Sequence, residues 1–189
     1  NEVQVIVDVR STPRSRYNPQ FDQGMIEKSL RSAGIRYLFL GKELGARSED
    51  AANYQNGRVV YGRLASTALF RQGIERVKHG AGTWRIALMC AEKEPLECHR
   101  TLLVAKALVE EGVQVEHILA DGTRETHDET MERLLIMFDA DQPELFRSRE
   151  EQLADVLLLQ EKRIAYIDKR DSEETGEQPG LFSTAKDEE

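Results

Sequence analysis

The chain has 189 residues and a formal net charge of −8, a size that fits one domain with additions and a core that needs no covalent staples. No run of 18 or more apolar residues occurs, which excludes a membrane-spanning helix. The two cysteines exclude a disulfide scaffold and fit a reducing, cytoplasmic setting.

The chain opens at Asn1, and within three residues it follows a strand-like pattern. We read this as a chain that lacks its natural N-terminus. Val3 to Val9 is an apolar run that reads as a buried strand. It runs into "DVRSTPRSR", where Arg10, Arg14 and Arg16 crowd a strand end. Residues 21–33 read as a helix with Phe21, Met25, Ile26 and Leu30 on one face, stopped by Gly34. Ile35 to Leu40 is a second strand. Residues 41–62 look irregular, with four glycines among polar residues.

Leu64 to Lys78 predicts a helix with Leu69, Phe70, Ile74 and Val77 on its buried face. Trp84 to Cys90 is the most strand-like segment, and residues 98–111 predict a helix ending at Gly112. Val113 to Leu119 reads as another strand, and Thr126–Phe138 and roughly 144–162 as helices. Strands alternating with helices predict an α/β fold: a three-layer domain with a mainly parallel sheet covered on both faces. We divide the chain into a core domain (1–139), a helical extension (140–165) and an acidic tail (166–189). The tail is too polar to fold alone and is expected to be disordered.

Ligands of open α/β sheets bind at the carboxyl ends of the strands. Two segments stand there. The first is "DVRSTPRSR", with Asp8, Arg10, Arg14, Ser15 and Arg16. The second is "CAEKEPLECHR". In it Cys98, His99 and Arg100 fall in a first helical turn, where free N–H groups and the dipole favour anions and lower a thiol's pKa. Arg100 adds a planar fork suited to phosphate. Glu92, Cys98 and His99 are the candidates for proton transfer or nucleophilic attack. Cys90 reads as a small core residue. Zinc on Cys90, Cys98 and His99 is set aside, because the C-x7-C-H spacing matches no common site. No motif requires a cofactor, and no metal is assigned. His117 reads as a hydrogen-bonded core histidine.

Together, "DVRSTPRSRYNPQF", "IRYLFLGKELGAR", the stretch from Leu88 to Ala105 and "VEHILADG" resemble the family called domain of unknown function 488, over about Val5 to Leu135. Members usually begin with a further strand and a Thr-Ile-Gly-His-Ser-type segment that this chain lacks. The resemblance implies a Rossmann-like domain. It also implies a site built from Asp8, Arg10, Pro13, Ser15 and Arg16 with Cys90, Glu92, Cys98, His99 and Arg100. It places Gly41, Lys42, Leu44 and Gly45 near the same edge, with Lys42 as a further cation. It supplies no reaction.

The tail carries "QPGLF". It resembles the Gln-x-x-Leu-Phe peptide by which bacterial replication and repair proteins bind the sliding clamp, with Gln178 as hook and Leu181 and Phe182 as anchors. The sequence therefore points to a cytoplasmic α/β protein that binds a phosphate-bearing ligand, nucleotide or nucleic acid, in DNA maintenance. Whether it is an enzyme stays open. The rival readings are a non-catalytic interaction module, in which Glu92 and the arginines form a buried ion-pair network, and a thiol enzyme using Cys98.

Overall fold

The computed structural model describes residues 1–168. Its centre is a three-stranded parallel sheet in the order β2–β1–β5. The strands are β1 (Val5–Asp8), β2 (Arg36–Phe39) and β5 (Ile86–Met89). Between β2 and β5 come two short strands, β3 (Tyr54–Gln55) and β4 (Arg58–Val59). β1 is central because its residues are apolar on both faces and can be covered on both sides. Val7 and Val9 are fully buried. The register sets Asp8 between Phe39 and Met89.

Helix α1 (Gln23–Ser32) returns the chain from β1 to β2. It ends where Gly34 takes φ +73°, a conformation glycine adopts without strain. Of its predicted apolar face only Ile26 is buried, while Phe21 and Met25 stay exposed. The single helix expected over 64–78 is two, α3 (Tyr61–Ser66) and α4 (Ala68–Ala81). Thr67 divides them: its side chain accepts the Phe70 N–H and so starts α4. Phe70, Ile74 and Val77 are buried as expected, and Leu69 is not.

Residues 41–62 are more regular than the sequence suggests. They hold a short helix, α2 (Gly41–Leu44), and the β3–β4 hairpin. Asn56 and Gly57 both have positive φ, the hairpin turn that Asn-Gly favours.

The expected strand from Val113 to Leu119 does not join the parallel sheet. Its strand part, β6 (Glu116–Ile118), pairs antiparallel with β7 (Arg124–Thr126). The reason lies in its alternation: Val113, Val115 and His117 are partly or fully buried, while Gln114, Glu116 and Ile118 are exposed. Such a strand keeps one face in water. Asp121-Gly122, with Gly122 at φ +87°, turns it back on itself.

A π-helical stretch (Arg100–Ala105) continues into α5 (Lys106–Glu110), which packs against α4. Capping boxes start α6 (His127–Met137) at Thr126 and α7 (Arg149–Ile164) at Ser148. After α7 the chain returns to β4, where Val59 N–H donates to the Tyr166 carbonyl and Asp168 N–H to the Gly57 carbonyl. Among the described residues, no helix is long and apolar enough to cross a membrane. The tail motif lies outside the described residues.

β6 and α6 are joined by a buried histidine pair, His117 Nε2 to His127 Nδ1 at 3.0 Å. This bears out the reading of His117 as a hydrogen-bonded core residue. Burial first, then the charge of His127, holds His117 down at about 4, and burial also lowers His127. The folded protein therefore binds fewer protons here than the unfolded chain between about pH 6.5 and 4. Stability is fully present above that window and is lost as pH falls through it, by on the order of 3 kcal/mol. Urea midpoints at pH 7 and pH 4.5 should show this loss, and His117→Gln with His127→Gln should reduce it.

Candidate functional site

The chain runs from β1 to β2 on one side of β1 and then crosses to β5 on the other. Strand order thus reverses at the carboxyl ends of β1 and β5, the place where open α/β sheets hold ligands. Both segments singled out in the sequence end there.

On the β1 side, Asp8 is fully buried and Arg10 is 7% exposed. Arg10 grips Asp8 with both forks, Nε to Oδ1 at 2.9 Å and Nη2 to Oδ2 at 2.6 Å, and its backbone N–H also donates to Oδ1. Tyr37 donates its hydroxyl to Asp8 Oδ2 at 2.7 Å. Tyr37 sits opposite Ile6, so it shares a face with Asp8 two residues on. The Asp8 hydrogen bond raises the Arg10 guanidinium, and burial followed by Asp8 pushes the Tyr37 phenol up. Arg10 Nη2 donates further to the Phe21 carbonyl. The anion that Arg10 holds is the chain's own carboxylate.

Beyond Arg10 the loop folds onto α2. A Cβ on Gly41 would lie 2.0 Å from the Arg10 carbonyl, and one on Gly45 would lie 2.5 Å from Ser11 Oγ. Only glycine permits this approach, which brings Lys42 to the same edge. Ser15 closes a turn: its N–H donates to Asp22 and its hydroxyl accepts from Asn18. Arg14, Arg16 and Lys42 are exposed. None of the three forms an ion pair among the described residues. Arg14 lines a cleft of about 360 Å³ with Pro13 and the first turn of α1. Asp22, the helix cap, makes no side-chain capping bond there.

On the β5 side, Cys90, Glu92, Cys98 and His99 converge. Cys90 Sγ donates to Glu92 Oε2 at 2.8 Å, and Cys98 Sγ donates to the same oxygen at 3.2 Å. Cys90 Sγ lies 3.5 Å from His99 Nδ1, and His99 Nε2 reaches the Val9 carbonyl at 3.1 Å. That last contact ties the two strand ends together. The Cys90 thiol is pushed up by its Cys98 neighbour and by burial. Burial opposes a charged His99, but the Cys90 bond and the Glu92 carboxylate outweigh it and hold the imidazole above its ordinary value. Burial likewise opposes a charged Glu92, and the two thiol hydrogen bonds more than offset it.

The loop that brings Cys98 back to Cys90 is braced from outside. Glu94 accepts the Leu96 N–H and pairs with Arg133 of α6, and Gln160 of α7 donates to the Leu96 carbonyl at 2.8 Å. Tyr61, buried at the start of α3, is raised by burial, then by Glu161, and then by Cys98, Glu92 and Cys90.

Glu92, Cys98 and His99 thus stand together as the sequence suggests. Cys90, read as core, stands with them. Arg100 stands apart. Its backbone N–H donates to Cys98 Sγ, while the residue lines a cleft of about 1020 Å³ with His117 and Arg124 along the outer side of β5. Tyr37 lies in the stretch "IRYLFLGKELGAR", but nothing there marks it for the site, and only strand register points to it; Tyr61 lies in no motif.

Compared with known families, residues 1–107 match the domain of unknown function DUF488. The chain belongs to the DUF488 family. The match carries both strand ends and the whole convergent cluster, and stops before α6 and α7, which brace the cluster loop. No curated protein and no solved structure matches the chain.

Removing Arg10 would leave the Asp8 charge buried and unpaired. Arg10→Ala should therefore cost about 3–5 kcal/mol in urea unfolding. Tyr37→Phe, which removes one bond to a charged acceptor, should cost about 1.5–3 kcal/mol. An Arg10→Ala protein within about 1 kcal/mol of wild type would contradict this account of the pair.

Proposed function

We propose that the crevice at the ends of β1 and β5 binds a phosphate-bearing ligand, nucleotide or nucleic acid, on a Rossmann-like three-layer fold in the cytoplasm. One observation carries this reading. Arg14 and Arg16 stand exposed and without an ion pair among the described residues, and Arg14 lines a cleft with the first turn of α1, where Asp22 makes no side-chain capping bond. Helix N-termini and arginine forks both favour phosphate. Asp22 and Glu27 also line that cleft, but Asp22 Oδ1 is engaged by Ser15 and Glu27 by Arg31. Lys42 adds charge from the neighbouring turn. Glu92, Cys98 and His99 are the groups placed to act on what is bound.

The thiol-enzyme alternative is weakened by burial. Cys98 has no exposed surface, and the Cys90 thiol is pushed away from thiolate. The interaction-module alternative expects buried ion pairs at the strand ends. Arg10 fits it, but Glu92 accepts from thiols and forms no ion pair among the described residues.

Fluorescence polarisation with a labelled single-stranded oligonucleotide, and separately with a labelled nucleotide, separates the two ligand classes. Saturable binding is expected, weakened about 10-fold or more in Arg14→Ala with Arg16→Ala. For DNA the salt dependence should also flatten by about two charges. Binding that ignores both substitutions, or no saturable binding of either probe, would overturn the reading.

The link to DNA maintenance rests on the tail sequence, Gln178 with Leu181 and Phe182. We infer that this segment docks on a bacterial sliding clamp. A labelled peptide of residues 172–189 should bind the clamp saturably in the micromolar range, on the order of −8 kcal/mol. Leu181→Ala with Phe182→Ala should abolish it, and equal signals from both peptides would remove the clamp as partner.

A further inference from the structure

We propose that Cys90, Glu92, Cys98 and His99 form a binding site for a single thiophilic divalent cation, zinc first. The inference goes beyond the phosphate reading and does not depend on it.

The geometry points to this directly. One ligand atom from each of the four residues, two thiol sulfurs, a carboxylate oxygen and an imidazole nitrogen, falls within 4.8 Å of every other. Zinc takes these donors, at about 2.3 Å from sulfur and about 2.0–2.2 Å from nitrogen or oxygen. A tetrahedron with such bonds has edges of roughly 3.3–3.8 Å. The observed separations are 2.8 and 3.2 Å from Glu92 Oε2 to the two sulfurs, and 3.5 Å from Cys90 Sγ to His99 Nδ1. The two oxygen–sulfur separations are shorter than in a filled site because two thiol protons now point at one carboxylate oxygen, the sulfur–nitrogen separation already fits, and every other pair lies within 4.8 Å. A cation at their centre replaces those protons. Two S–H bonds break, two metal–sulfur bonds form, and two protons pass to solvent.

The surroundings are those of a ligand shell. The Val9 carbonyl can only accept, so His99 carries its proton on Nε2 in the neutral form and turns the Nδ1 lone pair to the cluster. Metal-bound histidines are typically oriented by such an outer partner. The Arg100 N–H donates to Cys98 Sγ and offsets charge on a thiolate. The loop that closes the site is pinned by Arg133 and Gln160. Cys98 and His99 are buried, Cys90 is half-buried and Glu92 is exposed. The open face therefore lies at Glu92, where an exchangeable carboxylate could give way to water or an incoming ligand. Two sulfurs select zinc and related soft ions over magnesium or calcium. Cys-x-Glu-x5-Cys-His matches no common spacing because the site is assembled across a strand end and a helix start, with Glu92 as the donor that the cysteine spacing omits.

The chain holds only two cysteines, and both are in this cluster. Any thiolate–metal signal therefore reports on this site. The full chain, reduced with a phosphine and freed of metal, is titrated with Co²⁺ without any phosphate ligand. The expected result is one equivalent bound, with near-ultraviolet thiolate-to-cobalt charge-transfer bands and visible bands of tetrahedral Co²⁺. Zinc should displace it with loss of both, and about two protons should be released per chain. Cys90→Ser should abolish the charge-transfer bands or weaken binding by about 100-fold or more, and Glu92→Gln should retain binding but change the visible bands. Circular dichroism confirms that each variant is folded. A folded, reduced wild type without these bands, or a folded Cys90→Ser with unchanged affinity and bands, would overturn the site. Phosphate binding plays no part in this titration, so the two proposals can fail separately.

Discussion

A fully buried carboxylate at the end of a central strand is the constraint around which this molecule is arranged. Asp8 cannot remain charged in the interior without partners. Arg10 therefore folds back two residues to grip it, and Tyr37 reaches across from β2 to share it. That grip also anchors Phe21 through its carbonyl. The chain just beyond is pressed so closely against α2 that Gly41 and Gly45 admit no side chain. The exposed Arg14 and Arg16 hang from a strand end that Asp8 makes rigid.

The second strand end is built by a different principle. Between Cys90 and Cys98 the loop leaves β5, makes one tight turn at Pro95–Glu97 and re-enters at the head of the next helix. This brings four side chains with ligand atoms to one point, with Cys98 and His99 buried and Glu92 at the surface. His99 then binds the Val9 carbonyl, so the two strand ends are tied together. Helices α6 and α7 lie beyond the family match, yet they hold the loop from outside through Arg133 and Gln160. Charge-handling groups thus sit on the β1 side and metal-type donors on the β5 side of a single reversal point in the sheet.

Much of this was legible in the sequence. The apolar run ending at Asp8, the stop at Gly34 and the cluster at 90–100 mark the strands and the crevice without coordinates. Other parts were hidden for physical reasons. Asn56-Gly57 and Asp121-Gly122 are strong turn signals, but the strands beside them are only two or three residues long and leave little periodicity to see. Arg10 reads as an anion binder because its partner is already in the motif, two residues upstream. Tyr37 becomes visible only when β1 and β2 are set in parallel register. Cys90 looks like core because a cysteine ending an apolar strand usually is; its company across the loop is a tertiary fact.

The central claim is that the crevice between β1 and β5, and not the larger cleft outside β5, is where this protein meets its ligand. Amide chemical-shift mapping of the full chain, titrated with a short single-stranded oligonucleotide and separately with inorganic phosphate, tests it most directly. The account predicts that the largest shifts fall on Val9–Arg16, on Gly41–Gly45 and on Glu92–His99. Shifts concentrated instead on Trp84–Leu88 and Val113–Ile118, or none that saturate with either probe, would contradict it.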